Sequence, residues 1–176
     1  MIQFPEFHSF PKTPRLFREC VVTEKIDGTN ASVWIHNGEV RAGSRNRFIT
    51  PENDNFGFAK WVQENREELL KLGDGAHFGE WWGKGIQRGY GLDHRRFSLF
   101  NTSRWNAENV PSCCHVVPVV YKGLFYSELL EELLDAKPPI KSFASPGYDN
   151  PEGVMLYHVA ANRYFKFTFD GDGHKT

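Results

Sequence analysis

The chain has 176 residues, 40% of them hydrophobic, and its 21 Lys and Arg are matched by 22 Asp and Glu. That length suffices for one domain whose core needs no metal or disulfide, and a net charge of -1 excludes a broadly basic wrapping protein while leaving room for a local positive patch. No run approaches the roughly 18 apolar residues of a membrane span, the start lacks a secretory signal's apolar core, and Cys20, Cys113 and Cys114 suit neither a disulfide framework nor a CxxC zinc site. A cytoplasmic protein is therefore expected. Aromatic residues make up 15% of the chain, including 15 Phe and 5 Trp. Such rings serve a core, or stack on bases.

Residues 1–20, with Pro5, Pro11, Pro14 and scattered Phe, read as an extended lead-in. Asn37-Gly38 is a two-residue hairpin turn between alternating residues. Without a bulge, residues whose numbers sum to 75 face each other. Val33 then meets Ala42 and Ile35 meets Val40 on an apolar face, while Trp34 meets Arg41 and Asn30 meets Arg45 on the other. From about Asn55 to Leu72 the apolar spacing of Phe58, Val62, Leu69 and Leu70 predicts a helix, stopped by Gly73. Residues 76–82 and 97–100 read as short strands. Ser127 caps a second predicted helix carrying Leu129, Leu130, Leu133 and Leu134, which Pro138-Pro139 cannot extend. Strands follow at about 153–159 and 163–169, with Phe165, Phe167 and Phe169 on one face and Tyr164, Lys166 and Thr168 on the other. Strands outnumber helices and the hairpin argues for antiparallel sheet, so the expected class is α+β.

The first chemical candidate is Glu24-Lys25-Ile26-Asp27-Gly28-Thr29-Asn30, a lysine closing an apolar run, then an acid and a glycine that lets backbone approach a ligand closely. A nucleophilic lysine needs a neutral amine, which burial and neighbouring cations favour; the plainer reading is a strand-end lysine paired with Asp27. The seven His residues show no metal-ligand spacing. Lys84, Arg88, Arg95 and Arg96, in a segment rich in glycine, form the most plausible phosphate-tracking group.

Lys25-Ile26-Asp27-Gly28 resembles the nucleophile motif of the covalent nucleotidyltransferase superfamily, the polynucleotide ligases and messenger-RNA capping enzymes. Five further segments resemble its other motifs in order: Ser44-Arg45-Asn46-Arg47, Phe78-Gly79-Glu80, Phe97-Ser98-Leu99-Phe100, Pro151-Glu152-Gly153-Val154 and Phe165-Lys166-Phe167-Thr168. The detailed wording is most similar to RNA ligases of the phage T4 RNA ligase 2 type, and the likeness runs over about residues 21–175. It implies one nucleotidyltransferase domain over 21–176, built like the ATP-grasp and ligase folds from antiparallel sheets with flanking helices, with no appended C-terminal domain.

The resemblance also implies a reaction. Lys25 attacks the α-phosphate of ATP to give a lysyl-adenylate. AMP then moves to a 5′-phosphate end, and a 3′-hydroxyl displaces it, with Mg2+ or Mn2+ offsetting phosphate charge. Implied roles are Glu24 for the adenine amino group, Phe100 (or Phe97, on the other face of that strand) for stacking, and Glu80 for the ribose hydroxyls. Glu152 holds the metal, Arg45 contacts phosphate or ribose, Asn30 lines the nucleotide site, and Lys166 binds the α-phosphate. Arg45, Arg47, Lys84 and Arg88 face nucleic acid. Two departures stand out. Thr168 replaces the second of two lysines that such ligases carry on the last strand, with Lys175 a possible substitute from the tail, and the chain stops shortly after. Substrate grip then rests on this domain or on a repair-partner protein. The expected function is an ATP-dependent RNA ligase in RNA repair, in the cytoplasm or a virus's host cytoplasm, acting on RNA ends or nicked duplex. The alternatives are a DNA nick-sealing ligase and a self-adenylylating end-sensing module that joins nothing.

Overall fold

The structure, a computed structural model, describes residues 1–137 and 139–171. Residues before Glu19 form neither strand nor helix and are exposed, so the lead-in is two residues shorter than expected. The strands are β1 (Glu19–Lys25), β2 (Thr29–His36), β3 (Glu39–Gly43), β4 (Phe48–Ile49), β5 (Gly75–Gly83), β6 (Arg95–Leu99), β7 (His115–Val116), β8 (Val119–Leu124), β9 (Gly153–His158) and β10 (Arg163–Thr168). The helices are α1 (Phe58–Glu64), α2 (Arg66–Leu69) and α3 (Leu129–Leu134). They build two sheets, ordered β10-β9-β1-β8 and β4-β3-β2-β5-β6-β7. Every ladder is antiparallel except that of β6 with β7. The class is α+β, as expected.

The hairpin keeps its predicted register from His36↔Glu39 through Val33↔Ala42 to Ser32↔Gly43. The pairing of Asn30 with Arg45 does not form: β3 ends at Gly43, and Ser44 to Arg47 make a turn closed by Ser44 N–H on Arg47 C=O at 2.8 Å. On the other side of β2, Asn30 pairs with Glu80 of β5. The single helix predicted over 55–72 is also divided. Phe56 and Gly57 are left-handed, which delays its start, and Asn65 at φ -111° separates α1 from α2. There the Asn65 Nδ2 donates to Trp61 C=O at 2.8 Å, the side-chain competition that disfavours Asn inside helices. Ser127 does not cap α3, which begins after Glu128; Pro138, expected to limit it, lies outside the described residues.

Three cores follow. Phe58, Val62, Leu69 and Leu72 bury against Val33, Ile35, Phe97 and Leu99 of the six-stranded sheet. Leu129 of α3 buries against Cys20, Val22, Val154 and Leu156 of the four-stranded one. Ile26, Trp82, Tyr90 and Val117 fill the junction between the sheets. Phe167 and Phe169 pack on the α3 core, but Phe165, on the edge strand β10, is exposed. Among the described residues no helix is long and apolar enough to cross a membrane.

Candidate active site

Because β1 and β2 are consecutive yet belong to different sheets, Ile26, Asp27 and Gly28 carry the chain across the junction. Ile26 anchors the crossing in the junction core. Gly28 passes so near β5 that a Cβ there would lie 2.4 Å from Trp81 C=O and 2.7 Å from Trp82 Cβ, a gap only glycine fits. Its N–H donates to Glu80 Oε1 at 3.1 Å. The N–H of Asp27 donates to the Tyr90 hydroxyl at 2.8 Å. Its carboxylate meets Arg88 Nε at 3.2 Å, and the same guanidinium reaches Asn150 C=O and the Asp170 carboxylate, each at 3.2 Å. Arg88 thus ties the crossing to the segments before β9 and after β10.

Lys25, the last residue of β1, pairs in register with Gly153, which brings the preceding Glu152 beside it. Lys25 Nζ lies 2.5 Å from Glu152 Oε2, the lysine side chain 21% exposed and the carboxylate buried. Nearby, burial pushes the Glu80 carboxyl up to about 8; the Gly28 N–H and the Lys25 ammonium pull it down, while Glu152 and Asp27 push it further up. At neutral pH Glu80 is therefore mostly a neutral acid, able to donate as well as accept. Burial likewise holds the Tyr90 phenol well above its ordinary range.

Glu24 lies on the opposite face of β1 from Lys25. Its buried carboxylate accepts from Ser142 Oγ at 2.7 Å and from the N–H groups of Phe143 and Ala144 at 2.8 Å. In this structure the acceptor expected for adenine holds down the 142–144 loop instead. Of the two candidate stacking rings, Phe97 is wholly buried in the core under α1, while Phe100 is half-buried beside Ile26 and Trp82. Asn30 is exposed next to Glu80 in the ladder.

Lys166 is exposed on β10. Its register partner is Met155, itself paired with Thr23, so Lys166 shares the sheet face of Lys25 one row away. Thr168 shares Lys25's own row through Gly153, but its hydroxyl donates to Gly171 C=O at 2.5 Å. Lys175 lies outside the described residues. Arg45 is exposed in the 44–47 turn, and Arg47 donates to Phe48 C=O and to Asn53.

In the expected phosphate-tracking group the arginines bond to the chain itself. Arg88 is committed as above, Arg95 donates to Lys84 C=O and Phe56 C=O, and Arg96 bonds His94 and Ala144 C=O while lying over Trp82. Lys84 is exposed. Among the described residues no group of three or more His, Cys, Asp and Glu side chains is placed to hold a metal ion. Sequence reasoning gave no role to Tyr90 or to Ser142–Ala144. The only mark on the first is its position between two glycines, and the 142–144 loop acts largely through backbone N–H groups, which any sequence supplies.

A family model described as RNA ligase matches residues 18–168. No curated protein matches the chain. Among solved structures, the RNA ligase of Naegleria gruberi with PPi is similar at 20% identity and TM-score 0.63, over 94% of this chain and 57% of that one. A mutant of the same ligase with ATP and Mn is similar at 19% identity and TM-score 0.62, with the same 94% and 57% coverage. A second mutant with ATP and Mn gives 19% and 0.61, over 86% of this chain and 49% of that one. The chain thus spans about half the length of the solved chains it matches.

Proposed function

Since the chain belongs to the RNA ligase family, we propose that it is an ATP-dependent RNA ligase of RNA repair that works through a lysyl-adenylate on Lys25. In the first step the Lys25 ammonium gives one proton to Glu152 Oε2, 2.5 Å away, and the amine attacks the α-phosphorus of ATP, its second proton passing to solvent. The N–P bond forms, the P–O bond to the β-phosphate breaks, and pyrophosphate leaves. An oxygen of an RNA 5′-phosphate then attacks the adenylate phosphorus and releases the lysine amine. Finally the 3′-hydroxyl loses its proton to solvent as its oxygen attacks the 5′ phosphorus, the bond from that phosphorus to the AMP phosphate oxygen breaks, and AMP leaves.

The other residues bind and position. Phe100 stacks on the base, Glu80 and Asn30 hold the ribose, Lys166 meets the α-phosphate, and Arg45 and Arg47 meet phosphates. Glu152 would hold Mg2+ or Mn2+, which would offset phosphate charge; mutants of the Naegleria ligase have been solved with ATP and Mn. The fit rests on a buried carboxylate whose cation in this structure is the Lys25 ammonium. One observation carries the reading: the Lys25–Glu152 contact at the sheet junction, beside the Gly28 N–H bond to Glu80.

Incubation with α-labelled ATP and divalent metal, followed by a denaturing gel, tests it. A covalent label present in the wild type and lost in Lys25→Ala is expected; folded protein with no label under either metal defeats the proposal. One observation favours a second reading, self-adenylylation without joining: the Thr168 hydroxyl, at the position of the family's second lysine, is turned to Gly171 C=O. Label without sealing of nicked RNA or nicked DNA, tried side by side, would select it.

A further inference from the structure

The face of the six-stranded sheet that carries Glu80 also carries a row of side chains that the reaction leaves unused. Phe48, Gly43, Ser32 and Phe78 are successive register partners across β4, β3, β2 and β5. Phe100 N–H bonds Phe78 C=O and prolongs the row. Two large residues thus flank two small ones. Trp34, two positions from Ser32 and so on the same face, fills the gap between them. Its Nε1–H donates to Ser32 Oγ at 2.9 Å, and a Cβ on Gly43 would stand 3.2 Å from that nitrogen. The indole therefore lies along the sheet. The Phe48 ring stands 5.5 Å away at 77° and the Phe78 ring 6.0 Å away at 79°.

This arrangement is a flat aromatic floor between two upright aromatic walls, and it is open to solvent: Trp34 is 40% exposed, Phe48 51% and Phe78 56%. Basic side chains rim it. The Arg41 guanidinium lies 5.6 Å from the Phe48 ring, and Arg47, exposed in the turn before β4, bonds the Phe48 carbonyl. Rings that offer a π-face beside cations that follow a backbone are the elements of single-strand nucleic-acid binding. The hydrogen bond to Ser32 fixes the indole beforehand, which lowers the ordering cost of stacking. The adjoining row is Asn30 with Glu80, so a base held here neighbours the candidate nucleotide site.

We propose that Trp34, Phe48 and Phe78 form a cradle for one unpaired base of the RNA strand being joined, with the flanking phosphates on Arg41 and Arg47. The identity of that strand rests on the ligase reading; the affinity for an unpaired base does not. The test is the fluorescence anisotropy of a short labelled single-stranded RNA, without ATP, on the wild type, Trp34→Leu, Phe48→Leu and Trp34→Phe, with lysine adenylylation measured separately. Each Leu variant is expected to bind roughly tenfold more weakly and Trp34→Phe within about threefold of wild type, with adenylylation unchanged throughout. RNA affinity equal in the wild type and both Leu variants overturns the cradle, as does an equal loss for fully paired RNA duplex. Unchanged RNA affinity with self-association abolished also overturns it and gives the face to a protein contact. Lost RNA binding in the Leu variants of a protein that never adenylylates supports the cradle and removes the ligase reading.

Discussion

At neutral pH the Glu80 carboxyl carries its proton because burial outweighs the Gly28 N–H and the Lys25 ammonium that favour the charge. Its folded-state value of about 8 lies above the ordinary 4.5. The folded chain therefore binds more protons than the unfolded one between those values. Glu80 favours the fold most below about pH 4.5 and withdraws that contribution progressively up to about pH 8. Glu80→Gln is expected to flatten the fall in Tm over that window; an unchanged Tm-versus-pH slope would mean that the carboxyl is not the titrating group. Tyr90 makes a second residue-scale test. Its hydroxyl accepts from Asp27 N–H, and the backbone N–H of Glu152 also acts on it, so it touches both acidic motifs. Tyr90→Phe keeps the ring and strands a buried donor, so denaturant unfolding should show about 1–3 kcal/mol of lost stability. None of this was legible beforehand. Tyr90 is buried at a left-handed backbone position, φ 54°, which no pattern of residue types announces, whereas Lys25 and Glu80 were marked by their neighbours.

Elements were legible where local chemistry decides and opaque where tertiary contacts do. The Asn37-Gly38 turn set the hairpin register residue by residue as far as Gly43. It could not say that β3 ends there, and the arithmetic carried past the end placed Arg45 opposite Asn30, whose ladder partner is Glu80 on the other side of β2. The apolar spacing that predicted one helix over 55–72 is real in the core, since Phe58, Val62 and Leu69 are all buried. The break at Asn65 is a side-chain-to-backbone bond to Trp61, invisible to a count of apolar positions. For the site, the decisive element is the crossing from β1 to β2. Gly28→Ala would drive a methyl into Trp81 C=O and Trp82 Cβ, neither of which is a flexible side-chain end. The chain would have to lift from β5 and release the Gly28 N–H from Glu80. Thermal unfolding should show about 2 kcal/mol of destabilisation, with adenylylation reduced further than that loss explains. A variant as stable and active as wild type would show that the close approach is unnecessary.

For the whole molecule the question is where 21 cations go in a chain of net charge -1. The basic segment after Glu80 looks from sequence like a phosphate track. In the fold, Arg88, Arg95 and Arg96 bind carbonyls, a histidine ring and carboxylates of the chain itself, and Arg104 bonds Leu72 C=O and lies over Trp105. These arginines hold loops together. Spacing could not reveal this, because a guanidinium suits a phosphate and a carboxylate equally well. Arg41 and Arg47 rim the aromatic cradle, and Arg45 is exposed in the same turn as Arg47. Three phosphate contacts on a single strand imply a slope of log affinity against log salt of about -2. Arg45→Ala should make that slope shallower by about 0.7 and leave Tm unchanged. Arg88→Ala should do the reverse. It removes the cation at the mostly buried Asp27 carboxylate, costs about 3 kcal/mol, and leaves the salt slope of the remaining folded protein as it was. A shallower slope in Arg88→Ala at unchanged Tm would return the segment after Glu80 to the RNA and take the structural role from its arginines.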